Sequence, residues 1–152
     1  MTIPRIARSV CWRPPPATCV KVNFDGAVFS QDGLAGIDII IRNEQGLVMA
    51  ALAQQIPLPA SVEMVEMLAA RRAMVFAKEH GFDKVIVEGD SATTITSTNG
   101  DHMDYSVLSH LLLDIKCFFS SFSYISITHT HREGNSVAHK LARWAVRFPF
   151  LV

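Results

Sequence analysis

The sequence has no excess of either charge: 14 Lys+Arg stand against 14 Asp+Glu, a formal net charge of zero over 152 residues. A protein that grips nucleic acid unaided draws much of its affinity from basic contacts with phosphates, so this balance argues against strong autonomous binding. It does not exclude a nuclease, because carboxylates that hold cations lower the sum locally. Cysteine is scarce. Cys11, Cys19 and Cys117 form an odd, scattered set with neither a disulfide framework nor zinc-ligand spacing, which fits reduced thiols in an intracellular protein. Long apolar runs are also missing. The longest, Leu111 to Phe122, is broken by Asp114, Lys116 and two serines, and falls short of the roughly 18 residues that cross a membrane. No membrane segment and no secretory signal are expected.

What remains is ordinary globular composition, 49% hydrophobic and 18% charged, enough for one domain with one core. The first 24 residues carry Arg5, Arg8, Arg13 and Lys21 and no acid, a faint likeness to an organelle transit peptide. The run Pro14-Pro15-Pro16 favours a stiff linker instead. The expectation is a proline-rich linker over 1–18 and a single domain over 19–152, in a nuclear or cytoplasmic protein.

Val20 to Phe24 alternates apolar and polar residues as a strand does, with Asp25-Gly26 ending it. Gly36 to Arg42 is rich in β-branched residues; Asn43 to Gly46 is a turn, and Leu47 to Ala53 completes a hairpin. Ser61 to His80 is the clearest helix, with Ser61 as N-cap, Glu63 in the first turn and Gly81 as the stop. Lys84 to Val87 is a short strand followed by Asp90-Ser91, and Ser91 caps a short helix ending near Asn99-Gly100. Tyr105 to Ser120 is a helix, Tyr124 to Thr128 the last strand, and Asn135 to Arg147 the final helix. Early strands joined by short turns pair antiparallel, while strands separated by helices return through crossovers and pair parallel. The predicted architecture is α/β: a mixed five-stranded sheet, three strands antiparallel and two parallel, flanked by helices.

This order brings acids together. Asp25 ends the first strand and Asp90 follows the fourth; if these strands are parallel neighbours, the two carboxylates emerge side by side at the edge where open α/β sheets collect ligands. Glu66, in the first half of the long helix, can reach the same place. It lies among Met64, Val65, Met67 and Leu68, where an unpaired carboxylate costs several kcal/mol, roughly, and so needs a purpose. Three converging carboxylates repel unless a cation lies between them or their pKa values rise. Oxygen-only ligation suits Mg²⁺ or Mn²⁺ rather than zinc.

At these residues the chain resembles the ribonuclease H family. Asn23-Phe24-Asp25-Gly26-Ala27, with Gly36 to Arg42 and the turn after it, is similar to the family's opening. Glu66-Met67-Leu68-Ala69-Ala70 is similar to its helix with the catalytic glutamate, and Val87-Glu88-Gly89-Asp90-Ser91 to its second Asp-Ser strand end. His131-Arg132-Glu133-Gly134-Asn135-Ser136-Val137-Ala138-His139-Lys140-Leu141-Ala142 resembles its closing motif. Trp12-Arg13-Pro14-Pro15 resembles the plant branch related to non-LTR retroelements. The resemblance runs from about Trp12 to Arg147.

The resemblance implies a ribonuclease H-like fold and cleavage of the RNA strand of RNA–DNA hybrids. Two ions, about 4 Å apart in such sites, would flank the scissile phosphate, one activating water and the other stabilising the leaving 3′ oxygen. It implies that Asp25 bridges both ions, Asp90 ligates the nucleophile-side ion, and Glu66 serves the other side near the 2′-hydroxyl that distinguishes RNA. The family's fourth acid is His139 here, a poor ligand for hard Mg²⁺ but an acceptable one for Mn²⁺. His129 matches the family's mobile histidine, linked to product release, with His131 as the fallback. Substrate contacts are implied at Gly26, Ala27, Ser91, Arg132 and Asn135.

Many bacterial members insert a basic segment between the central helices, yet here Lys116 is the only Lys or Arg between Asn99 and Ser120. Binding would fall to Arg132, Lys140, Arg143 and Arg147, or to an attached or separate partner domain. Blander roles stand beside these: Asp25 as a turn residue, Asp90-Ser91 as a helix cap, His139 at the edge of the site. Arg71-Arg72 is read as surface or ion-paired, and His80, His102 and His110 as facing solvent. Two functions follow, a Mg²⁺- or Mn²⁺-dependent hybrid endonuclease, or a weakly catalytic or inactive nucleic-acid or protein interaction module that has lost its fourth acid.

Overall fold

The computed structural model describes residues 12–91 and 107–137. Its strands are β1 (Val20–Phe29), β2 (Leu34–Arg42), β3 (Val48–Pro57), β4 (Lys84–Gly89) and β5 (Tyr124–His129), and its helices α1 (Val62–Glu79) and α2 (Val107–Phe119). They form one sheet in the order β3-β2-β1-β4-β5. β1 pairs antiparallel with β2, and β2 with β3, while β1–β4 and β4–β5 are parallel. The mixed sheet predicted above is therefore present, and its helices supply the crossovers that parallel pairing requires.

Strand periodicity divides β1 between two faces. Val20, Val22 and Phe24 join Ile37, Ile39 and Ile41 of β2 and Val85 and Val87 of β4 in a core shared with α1 and α2. α1 offers this core small residues, Ala69, Ala70, Ala73 and Ala77, all with no exposed surface, so its axis packs close to the sheet. Ile115 and Leu112 of α2 close the same core. The helix ends follow the sequence signals. The Ser61 hydroxyl accepts the Met64 N–H at 3.1 Å, and Gly81, at φ 79°, turns the chain out of the helix. Among the described residues no helix is long and apolar enough to cross a membrane.

Two boundaries differ from expectation. β1 does not end at Asp25-Gly26; its ladder continues through Asp25↔Asp38 and Gly26↔Ile37 to Phe29↔Leu34. The turn falls instead at Ser30–Asp32, where Gly33 takes the left-handed conformation at φ 64°. Asp-Gly resembles a turn signal, but here Gly26 serves a close helix approach. β3 likewise runs on to Pro57, which a sheet edge tolerates because no partner strand needs its missing N–H. The expected helix after Ser91 and all but the first residues of the helix expected over 135–147, His139, Lys140, Arg143 and Arg147 included, lie outside the described residues.

The second face of the sheet is polar and equally buried. Lys21, Asn23 and Asp25 of β1 stand on it with Asp38 of β2, and all are at most 8% exposed. Asn23 satisfies its whole amide here. Its oxygen accepts from Trp12 Nε1 at 2.9 Å and Arg42 Nη2 at 3.3 Å. Its nitrogen donates to Glu88 Oε2 at 2.8 Å and Asn135 Oδ1 at 3.1 Å. Trp12, in the segment read as a linker, is docked by this bond and by the Arg42 guanidinium 4.0 Å above its ring.

Candidate metal centre

Three elements deliver the acids. In the parallel ladder Asn23 pairs with Glu88, so two residues further along each chain Asp25 and Asp90 arrive as neighbours. Asp25 therefore sits within β1 rather than at its end, 2% exposed, its Oδ1 accepting the Gly26 N–H at 2.9 Å. Glu66 descends from α1. It gets close because Gly26 has no side chain: a Cβ there would lie 2.7 Å from Val65 Cγ1 and 3.6 Å from Glu66 Oε1. One carboxylate oxygen from each of Asp25, Glu66 and Asp90 lies within 4.8 Å of the other two.

The electrostatics are those of a crowded acidic site. Burial pushes the Glu66 carboxyl up from 4.5 to about 8, the charges of Asp25 and Asp90 add to the rise, and Arg132 opposes it. Glu66 Oε2 is buried without a hydrogen-bond partner. An oxygen-only donor set with an orphaned buried oxygen and mutual repulsion is what a hard divalent cation would relieve. The residues present thus fit Mg²⁺ or Mn²⁺.

The other expected residues arrange themselves around this centre. Arg132, 74% exposed at its side chain, has Nε 3.7 Å from Asp90 Oδ2. His129 is the last residue of β5, exposed, opposite Gly89 in the ladder and one position from Asp90. Its ring meets that of His131 edge-on at 5.7 Å. Gly26 and Ala27 are half-buried in β1 and Ser91 half-buried after β4. Asn135 is fully buried, and its Nδ2 donates to the Phe24 carbonyl at 2.8 Å. Its amide is thus committed to β1, pinning the turn Arg132–Asn135 to the strand that carries Asp25. Arg71 and Arg72 are ion-paired with Asp114 and Glu79, His80 and His110 are exposed, and His102 lies outside the described residues.

One residue of this neighbourhood escaped the sequence reading. Asp38 stands directly across the ladder from Asp25 with no exposed surface. Burial pushes its carboxyl up from 3.8 to about 9, against the Ile39 N–H and with the Asp25 charge adding to the rise. Its signal in the sequence was a lone acid between Ile37 and Ile39-Ile40-Ile41.

Solved structures share this architecture. RNase H1 from the archaeon Halobacterium salinarum matches with a TM-score of 0.77 and 25% identity, over 85% of this chain and 98% of that one. LC11-RNase H1, solved in complex with an RNA/DNA hybrid, matches at 0.76 with 21% identity, over 87% and 99%. With the acids converging where they do, the fold is that of a ribonuclease H-like domain. A family profile described as reverse transcriptase-like matches residues 23–145, and the chain belongs to that family. An Arabidopsis thaliana protein provisionally named a ribonuclease H protein is 29% identical over 145 residues, 95% of this chain; the chain spans 23% of that protein's length.

Proposed function

We infer that the chain hydrolyses the RNA strand of RNA–DNA hybrids at the centre formed by Asp25, Glu66 and Asp90. The observation that carries this reading is the approach of three carboxylate oxygens to within 4.8 Å from β1, α1 and the end of β4. Divalent ions held there would neutralise charge at a scissile phosphate and lower the pKa of an attacking water. The chain's own part is placement. Asp25 is held by the Gly26 N–H, and Glu66 and Asp90 each bring a carboxylate oxygen within 4.8 Å of it. Arg132 presents an exposed cation beside Asp90, suited to a backbone phosphate. His129, exposed at the strand end next to Asp90, would lie beside the departing product.

The second reading is an interaction module without catalysis. Its support is the zero net charge and the histidine at position 139, where the motif otherwise has an acid. The experiment that separates the two is cleavage of a labelled hybrid by the full chain with Mg²⁺ and with Mn²⁺, with Asp25→Asn as control. Cleavage in Mn²⁺ that Asp25→Asn abolishes is the expected result. Absence of cleavage in both metals, together with no rise in melting temperature on adding millimolar Mn²⁺, rejects the nuclease and leaves the module.

A further inference from the structure

We propose that Trp12 is a positioning residue for hybrid binding: its indole, acting through Asn23 and Asn135, holds the turn that presents Arg132 beside Asp90. The inference rests on the proposed contact of Arg132 with a hybrid phosphate, and adds to it a residue from the segment ahead of β1.

Hydrogen-bond polarity carries the first step. A side-chain amide has a donor end and an acceptor end of nearly equal shape, and its partners decide which way it lies. Indole and guanidinium N–H groups donate and cannot accept. Trp12 Nε1 at 2.9 Å and Arg42 Nη2 at 3.3 Å therefore require the Asn23 oxygen on their side. The Asn23 nitrogen is then turned to donate to Glu88 Oε2 at 2.8 Å and Asn135 Oδ1 at 3.1 Å. The same constraint passes to Asn135. Its oxygen faces Asn23, so its nitrogen faces the Phe24 carbonyl, at 2.8 Å. Asn23 and Asn135 have no exposed surface, so a lost partner leaves a buried polar atom unpaired.

Both donors to the Asn23 oxygen depend on the indole. Trp12 supplies one and supports the other, because the Arg42 guanidinium lies 4.0 Å from the centre of its ring. The indole is itself seated. Its far edge lies beside Gly46 in the turn between β2 and β3, where an added Cβ would be 3.6 Å from Cζ3. The carbonyl of Arg13, the next residue, accepts from Lys21 Nζ at 2.7 Å. None of these contacts involves Asp25, Glu66 or Asp90. The relay ends at the turn Arg132–Asn135, which Asn135 closes and Arg132 opens. The Arg132 side chain is exposed, so the backbone of the turn sets its reach.

The test is a double-mutant cycle on hybrid binding by the full chain, in the Asp25→Asn background that suppresses cleavage. Trp12→Ala removes the donor and the stack, while Trp12→Phe keeps a ring beside Arg42 and removes only the donor. Each is combined with Arg132→Ala, and a fluorescent RNA–DNA hybrid is titrated by anisotropy. The expected result is that Trp12→Ala weakens binding at least about threefold and Trp12→Phe about twofold, and that each has under about 1.5-fold effect once Arg132 is alanine, because the two residues serve one contact. A merely structural role would weaken binding by the same factor in both backgrounds, and that result overturns the proposal, as does unchanged binding by the Trp12 variants. Should Trp12→Ala not fold, Trp12→Phe decides alone. If Arg132→Ala weakens binding and the Trp12 variants do not, only the role of Trp12 falls. If the Asp25→Asn parent binds no hybrid, or Arg132→Ala binds as tightly as that parent, the reading of Arg132 falls and the role of Trp12 with it.

Discussion

Gly26 and Val65 are in such close approach that a single added carbon on Gly26 would lie 2.7 Å from Val65 Cγ1. The contact sets the distance between β1 and α1 at the level where Glu66 meets Asp25. Gly26 is therefore a spacing residue for the candidate metal centre, and its backbone is an ordinary strand rather than a left-handed turn.

Gly26→Ala must move Val65 or lift the first half of α1. Overpacking of this kind costs about 1–3 kcal/mol, and the displacement falls on Glu66, the next residue. The expected outcome is a lower melting temperature and a smaller stabilisation by Mn²⁺ than in wild type. Val65→Ala in the same chain makes room for the methyl group and restores the Mn²⁺ response. Thermal melts with and without Mn²⁺ check this, and a Gly26→Ala protein with a wild-type response would show that the close approach does not position Glu66.

The crowding of the acids sets a pH dependence of stability without metal. Glu66 is raised by burial from 4.5 to about 8. Below the lower value it is protonated in both folded and unfolded chains. As pH rises above it the unfolded chain releases the proton while the folded chain keeps it, so stability falls, and the loss is complete once pH passes the folded value. Asp38 acts in the same direction over a window reaching about 9. With chelator present, the melting temperature of wild type should decline from about pH 5 to about pH 8 relative to Glu66→Gln. Mn²⁺ should flatten the difference, because a cation stabilises the ionised form. Parallel curves for the two proteins under chelator would show that Glu66 is not held protonated by its surroundings.

Much of this centre was legible in the sequence because its signals are local. Ser61, Glu63 and Gly81 bracket α1, and the helix between the third and fourth strands signals a parallel return; that β4 lies beside β1, which places Asp90 near Asp25, is shown by the ladder itself. The errors came where one residue pair serves a distant partner. Asp25-Gly26 reads as a turn locally, but Gly26 is fitted to a helix some forty residues on in the chain, at Val65. The polar second face was invisible for the same reason: Asn23 bonds residues 11 and 112 positions away, a separation that no periodicity encodes. Asp38 was passed over because strand patterning scores its neighbours, all isoleucine, and says nothing about what stands opposite.

Arg132 offers a test of how substrate is held. Its side chain is 74% exposed and its Nε lies 3.7 Å from Asp90, so it contributes little to folding and is free to meet a phosphate. In an Asp25→Asn background that suppresses cleavage, Arg132→Ala should weaken hybrid binding several-fold. It should also reduce the slope of log affinity against log salt by about 0.7–0.9, the share of one phosphate contact. Fluorescence anisotropy over a salt series measures both. A weaker affinity with an unchanged slope would mean that Arg132 shapes the site without touching the backbone.

Asn135 is expected to act through structure. Its Nδ2 donates to the Phe24 carbonyl and its Oδ1 accepts from Asn23, which ties the Arg132–Asn135 turn to the residue preceding Asp25. Asn135→Ala leaves the Phe24 carbonyl and one Asn23 N–H buried without these partners, a cost of about 1–3 kcal/mol. Asn135→Asp retains an acceptor for Asn23 but loses the donor to Phe24 and buries a charge, so it should be no better tolerated than alanine. Denaturant unfolding of the three proteins under chelator measures the effect without metal. The turn also carries Arg132, so Asn135→Ala should raise KM for hybrid more than it lowers kcat, as expected when a substrate-holding group is displaced while the carboxylates stay in place. Stability within about 0.5 kcal/mol of wild type, the range of an ordinary surface substitution, would mean that the turn is held by other contacts and that Asn135 is not its anchor.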